Sequence, residues 1–319
     1  MSDKLLVLIT GGMCIPSPHY VVVLTISTAN QGLGYYAIQQ MSATGKYHIL
    51  MGARDIKKAE AAIKTLADEG SGAKPEFVQP IQIDMAMDES INAAAKTVEE
   101  KFGYLDVLML NAGIGQAQGT LREHYRQVYD TNLFGTATTI EAFLPLLRKS
   151  TKEGGKRIAI TSSDLASLEL AMRDKGLYNA KNFPIYRSSK SAVNMVMCHY
   201  ARSLEDEGFV VTASNPGFCN TGFNGNQGPK DPREGAKELV KAVELGKEVH
   251  VRVVTEGGSW RGEVVIHGWI LNAEPTSSVD FLLSTSHLAQ GCVSRYPPSI
   301  NSVAPVTKPL TAKFSSACA

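Results

Sequence analysis

The 319-residue chain is 44% hydrophobic and 20% charged, with a formal net charge of +1, a globular composition with no basic surplus to draw nucleic acid or an anionic membrane. Its longest apolar runs, at 5–9 and 21–26, fall far short of the roughly 20 residues a membrane helix needs, and Asp3 and Lys4 do not make the basic start of a signal peptide. The five cysteines form no CxxC pair and no Cys/His cluster, which excludes a disulfide framework and a zinc site and points to a reducing, cytoplasmic setting.

In chain order, the first feature is a glycine loop approached twice. One hydrophobic run ends in Ile9-Thr10-Gly11; a second, over 21–26, ends in Ser27-Thr28-Ala29. Only then come Asn30, Gln31, Gly32, Leu33 and Gly34. The stretch from Gly32 to Ala37 fits GxGxxG/A and opens a helix over 34–42. Glycines there let the backbone approach a pyrophosphate, and the helix N-terminus offers amide donors to it. A plain glycine turn between strand and helix fits the same residues.

Strands and helices then alternate. Strands are predicted over 46–54, 76–84, 105–113, 156–163 and 209–217. Helices are predicted over 55–70, 88–103, 126–147, 186–207 and 232–245. Short buried strands separated by helices imply an α/β fold, a doubly wound parallel sheet with helices on both faces, in a single domain over 1–267. Residues 248–271 can hold one or two further strands. Residues 268–319, rich in Ser, Thr, Pro and Ala, read as a disordered tail.

Several strand ends carry polar residues, and in such sheets ligands bind at the C-terminal strand edge. Arg54 and Asp55 follow the second strand, where an adenosine ribose is met. An Arg pairs with a 2′-phosphate; a carboxylate accepts ribose hydroxyls, and Asp55 also suits a helix N-cap. Asn111 and Gly113 close the next central strand. Asn132 sits within a helix near Gly135, a position that calls for a kink or a polar task. Ser162 and Ser163 end a strand, and Asn215, Pro216, Gly217 and Thr221 end another. Tyr186 and Lys190, at i and i+4, share one helix face. A cation beside a phenol lowers its pKa from about 10 and equips it to exchange a proton with a carbonyl or alcohol.

Together and in this order, the glycine loop, Asp84, "NAG" at 111–113, Asn132, Ser163, "YRSSK" at 186–190 and "NPGFCNT" at 215–221 resemble the short-chain dehydrogenase/reductase family. "GARD" at 52–55 and the long 163–186 segment are similar to its carbonyl reductase-like members. The resemblance implies a Rossmann-type fold and NADPH-dependent reduction of a ketone or aldehyde. Tyr186 would be the general acid/base and Lys190 would lower its pKa and bind the nicotinamide ribose. Ser163 would polarise the carbonyl, chosen over Ser162 because "SSDLASL" fits the family's Ser-Ser-x-x-Gly with Ala166 at the Gly position. Asn132 would hold a water linked to Lys190. Gly11, Asn30, Gln31, Gly32, Leu33, Gly34, Arg54, Asp84, Asn111, Gly113, Pro216, Gly217 and Thr221 would join Tyr186 and Lys190 in holding NADP. NAD, read by Asp55, and a non-catalytic nucleotide-binding protein are the alternatives. The partner is a small-molecule carbonyl or alcohol, and dimers or tetramers are common in the family. Residues 164–185 and 218–232 would wall the substrate site, with Met172, Leu177, Tyr178, Phe183, Phe218 and Phe223 making it apolar.

The family's loop reads Thr-Gly-x-x-x-Gly-x-Gly, and no contiguous stretch here does. Joining Gly11 to Ala29 restores it, which marks residues 12–28 as an insertion. Gly12-Met13-Cys14 can be encoded with the GTATGT of an intron start, Leu24-Thr25 with a CTAAC branch point and Thr28-Ala29 with a terminal ACAG, so a translated intron is expected. If the chain is used as written, two strands compete for one central slot. Continuity with a short βα turn favours 21–27 and displaces residues 1–19.

Overall fold

The structure, a computed structural model, describes residues 4–10, 32–67, 70–173, 176–246 and 253–254. All of these fall in one compact unit, Met1–Pro275. Gly11, Asn30, Gln31, the 12–28 insertion and the 268–319 tail lie outside the described residues.

Seven parallel strands form one sheet. They are β1 (Leu5–Thr10), β2 (Tyr47–Ala53), β3 (Val78–Gln82), β4 (Val107–Leu110), β5 (Arg157–Thr161), β6 (Val210–Ser214) and β7 (Val253–Val254). Their order is β3-β2-β1-β4-β5-β6-β7. The chain therefore winds outward from β1 in both directions, as expected of a doubly wound sheet.

The central slot is taken by the upstream strand. β1 pairs with β2 from Leu5↔Tyr47 to Ile9↔Met51 and with β4 from Val7↔Val107 to Thr10↔Leu110. This corrects the expectation that 21–27 would sit there with residues 1–19 displaced. Burial on both faces outweighs the short connection. Leu6 and Leu8 join one core and Val7 and Ile9 the other, all at 2% exposure or less. Asp106, fully buried, fixes the start of the strand: its Oδ2 accepts from Leu6 N at 2.7 Å, and its own N–H donates to Leu6 O at 3.0 Å. Ser150 Oγ completes that carboxylate at 2.6 Å.

Helices cover both faces. Helix α1 (Gly32–Thr44), α2 (Ile56–Thr65) and α8 (Pro232–Glu244) bury Ile38, Met41, Ala59 and Leu239 against one side. On the other side α3 (Asp88–Phe102), α5 (Gly135–Arg148) and α7 (Pro184–Ser203) bury Ile91, Phe143, Val193 and Met197. Their ends follow the sequence: Asp55 caps α2 by accepting from Lys57 N at 3.0 Å, and Gly103 ends α3 in the left-handed region.

The long helix predicted over 126–147 is three pieces. α4 (Leu121–Tyr129) starts at a Thr120–Glu123 capping box, a π-turn spans Asp130–Phe134, and α5 follows. Close packing accompanies the break, because a Cβ at Gly135 would lie 1.9 Å from Met85 O. A short helix, α6 (Leu168–Arg173), lies between β5 and α7, where the sequence offered no clear period. Of the strands sought in 248–271, β7 is the part described.

Candidate active site

The C-terminal strand edge opens on a cavity of about 450 Å³. Gly32 and Leu33 reach it from α1, and Asn111 and Gly113 from the turn after β4. Ser163 follows β5, Tyr186 and Lys190 come from α7, and Pro216, Gly217 and Thr221 follow β6. Ten of the residues singled out in the sequence thus share one wall although they come from five chain segments.

Helix α7 carries the reactive pair. Its start is forced by Pro184 at the first turn, after Phe183 in the left-handed conformation (φ 53°, ψ 45°). One turn along, Lys190 Nζ stands 5.8 Å from the centroid of the Tyr186 ring and donates to Thr161 O at 2.8 Å. The Tyr186 phenol and Ser163 line the same cavity, and Ser163 acts to lower the pKa of the phenol. Ser163 Oγ also accepts from Leu165 N at 3.1 Å, which holds it at the head of a 3₁₀ turn, Asp164–Ala166. Ser162, which also borders the cavity, is buried and donates to Asn194 Oδ1 at 2.5 Å.

The electrostatics differ from the sequence expectation. Burial pushes the Tyr186 hydroxyl up to about 12, against a smaller lowering by Ser163. The Phe223 ring, 5.5 Å away and tilted by 60°, is part of that dry setting. Burial also draws the Lys190 ammonium down to about 8. Desolvation therefore outweighs the cation, and the phenol is held protonated at neutral pH rather than poised to ionise.

Asn132 lies behind the cavity wall. Its Oδ1 accepts from Ile114 N at 2.8 Å, and its Nδ2 donates to Ile114 O at 2.9 Å and to Ser189 Oγ at 3.0 Å. The side chain thereby clamps the turn after β4 to α7, with Gly113 between Asn132 and Lys190: a Cβ there would meet Asn132 Oδ1 at 3.3 Å and Lys190 Nζ at 3.6 Å. The π-turn that places Asn132 is of the kind that recurs at functional sites.

Gly34, Arg54, Asp84 and Met172 do not line the cavity. Gly34 is buried in the first turn of α1. Arg54 and Asp84 follow β2 and β3 along the same sheet edge, and Asp84 Oδ1 accepts from Ala86 N at 3.0 Å. Met172 is 83% exposed, so its expected place in the substrate wall is corrected: α6 turns it to solvent. Leu177, Tyr178, Phe183, Phe218 and Phe223 do line the cavity. Asp164 lies within the expected 164–185 wall but was not singled out; its Oδ1 accepts from Asn215 Nδ2 at 2.5 Å and its Oδ2 accepts from Tyr178 OH at 3.4 Å.

Comparison with known proteins agrees with this geometry. The short chain dehydrogenase family pattern matches residues 21–232. The chain is 44% identical over 254 residues to the short-chain dehydrogenase anuI of Penicillium roqueforti (strain FM164), covering 77% of this chain and 97% of that one. It is 35% identical over 251 residues to the short-chain dehydrogenase/reductase eupG of Phoma sp, covering 73% and 89%. Among solved structures, NADPH-bound carbonyl reductase from chicken fatty liver superposes with a TM-score of 0.61 at 24% identity, over 80% of this chain and 97% of that one. No helix among the described residues is long and apolar enough to cross a membrane.

Proposed function

The chain belongs to the short chain dehydrogenase family and is an NAD(P)-dependent oxidoreductase, and from that premise we propose that it reduces a ketone or aldehyde to the alcohol with NADPH. The observation that carries this reading is the gathering of Ser163, Tyr186 and Lys190 on one largely apolar cavity, with Lys190 one helical turn from Tyr186.

A dinucleotide fits the residues present. α1 opens at Gly32 with φ +60°, and the amides of a first helical turn have no intrahelical partner and suit a pyrophosphate. Thr10 Oγ1, buried at the end of β1, has no hydrogen-bond partner among the described residues. Asn111, Thr221 and Lys190 add neutral and cationic donors along the same wall. When bound, the cofactor supplies the hydride. Ser163 and Tyr186 hydroxyls orient the substrate oxygen, and Tyr186 gives it a proton as the alcohol forms. The Lys190 ammonium favours the phenolate left behind, and burial of Tyr186 drives its reprotonation, which suits the reductive direction. Asn132 keeps Lys190 and the turn after β4 in register; the water it would hold remains part of this proposal.

Two neighbours of β2 support NADP over NAD. Asp55 is occupied as the cap of α2. No hydrogen bond or ion pair holds the half-buried Arg54 guanidinium among the described residues, which leaves its planar fork for a 2′-phosphate. The reading is tested by following NADPH consumption by the full chain with a simple dicarbonyl such as diacetyl; binding of NADPH without consumption would favour a non-catalytic protein.

We further propose that residues 12–28 are a translated intron. What supports this is β1 itself: the strand that fills the central slot is the one ending in Thr10, next to Gly11. Without 12–28, Gly11, Ala29, Asn30 and Gln31 alone would connect it to Gly32, the short βα turn the fold favours. A cDNA read across the junction tests this; a main transcript retaining the segment would contradict it.

A further inference from the structure

The cavity also carries information about what it accepts, and the following rests on the reductase reading. We infer that the substrate is an uncharged carbonyl compound whose carbonyl is carried on or beside an aromatic ring.

The first observation is charge. Among the described lining residues only Asp164 and Lys190 are charged. Lys190 gives one donor to Thr161 O, and the reductase reading assigns the rest of its charge to the cofactor and the Tyr186 phenolate. Asp164 keeps its carboxylate at the wall, tied to Asn215 and Tyr178. An anionic substrate would therefore meet a like charge and no spare cation, whereas a neutral one loses nothing on entry.

The second is the character of the wall. Phe183, Phe218 and Phe223 join Tyr178 and Tyr186 around the cavity. Phe223 packs at a tilt on the reactive ring itself and lies over Gly115, where a Cβ would meet its Cζ at 3.1 Å. A flat ring beside the reacting oxygen can take the offset or edge contacts that such rings favour, which a saturated ring of the same size cannot.

The third is strain. Phe183 is a bulky residue at φ +53°, a conformation that costs energy and persists where the surroundings hold it, often at ligand sites. The strained residue is 42% exposed, on the same cavity as Phe218 at 38% and Leu177 at 40%. Three exposed apolar side chains gathered on one cavity are more readily explained by a ligand that covers them than by folding.

The test compares ligands of one shape on the full chain. Benzaldehyde, cyclohexanecarbaldehyde and the para-carboxylate of benzaldehyde are assayed with NADPH. The unreactive amides in which CONH₂ replaces the CHO group of each compound are titrated by calorimetry in its presence. The expected order is benzaldehyde ahead of each of the others by about tenfold in kcat/KM, in line with the worth of one aromatic pair, with the same order among the amides. In Phe183→Leu and Phe223→Leu the ratio of aromatic to saturated ligand falls toward one; in Asp164→Asn the carboxylate gains. Equal or better use of the saturated or anionic compound overturns the inference while the reductase reading stands. Selective binding of benzamide with no turnover of any aldehyde or diacetyl overturns the reductase reading and keeps the ring preference. Neither selective binding nor turnover overturns both.

Discussion

Lys190 Nζ sits 5.8 Å from the centroid of the Tyr186 ring, on the same face of α7, and its bond to Thr161 O ties that helix to the end of β5. The ammonium is buried and the phenol half-buried, and burial moves their titrations in opposite directions, to about 8 and about 12. Their pH behaviour follows from those signs. Reduction needs Tyr186 protonated, which holds well beyond neutral pH, and Lys190 charged, which holds below about pH 8. The kcat/KM for reduction should be flat through neutrality and fall about tenfold per pH unit above about pH 8. A rate profile over that range checks this, and a limb near pH 10 or higher would show that burial does not control Lys190.

Arg54 and Asp55 are neighbours with different tasks. Arg54→Ala should weaken NADPH binding about 10- to 100-fold, the worth of a charge-assisted pair, and leave NADH nearly unchanged. Asp55→Ala should instead cost about 1 kcal/mol of stability through the lost cap of α2, without changing cofactor preference. Fluorescence titration with both cofactors and thermal melts separate the two outcomes.

Asn132 is a buried clamp. Asn132→Ala orphans Ile114 N–H and O at once and should destabilise the fold by about 1–3 kcal/mol. Denaturant unfolding reads that loss. If the clamp also positions Lys190, the alkaline limb of the rate profile will move in the variant; an unmoved limb would confine Asn132 to a structural part.

Deletion of residues 12–28 should tighten NADPH binding, because it gives β1 a short turn into α1 and restores Gly11 to the loop. Titration of the full and shortened chains checks this. Equal affinity would show that the segment is compatible with a complete cofactor site.

The alternation of strands and helices, the parallel sheet covered on both faces and the gathering of ten site residues at one strand edge were legible in the sequence, because hydrophobic period and strand-end polar residues report local rules. Ser163 was chosen over Ser162 through the motif, and Ser162 spends its hydroxyl on Asn194. Three things were not legible. The central strand was misassigned because loop length was weighed without the two-sided burial and the Asp106 contacts that fix Leu6. The break at Asp130–Phe134 was hidden because a π-turn keeps helical hydrophobic spacing on both sides. The direction of the Tyr186 shift was missed because desolvation depends on tertiary packing, to which residues far along the chain such as Phe223 contribute contacts.

The most direct test of the central claim is the rate of NADPH oxidation with diacetyl by the wild-type chain and by Tyr186→Phe, with NADPH binding measured on both. The variant keeps the ring and loses only the proton that Tyr186 is proposed to donate. The account predicts that its turnover falls by about 10²- to 10⁴-fold while it still binds NADPH. Turnover near that of the wild type would contradict it.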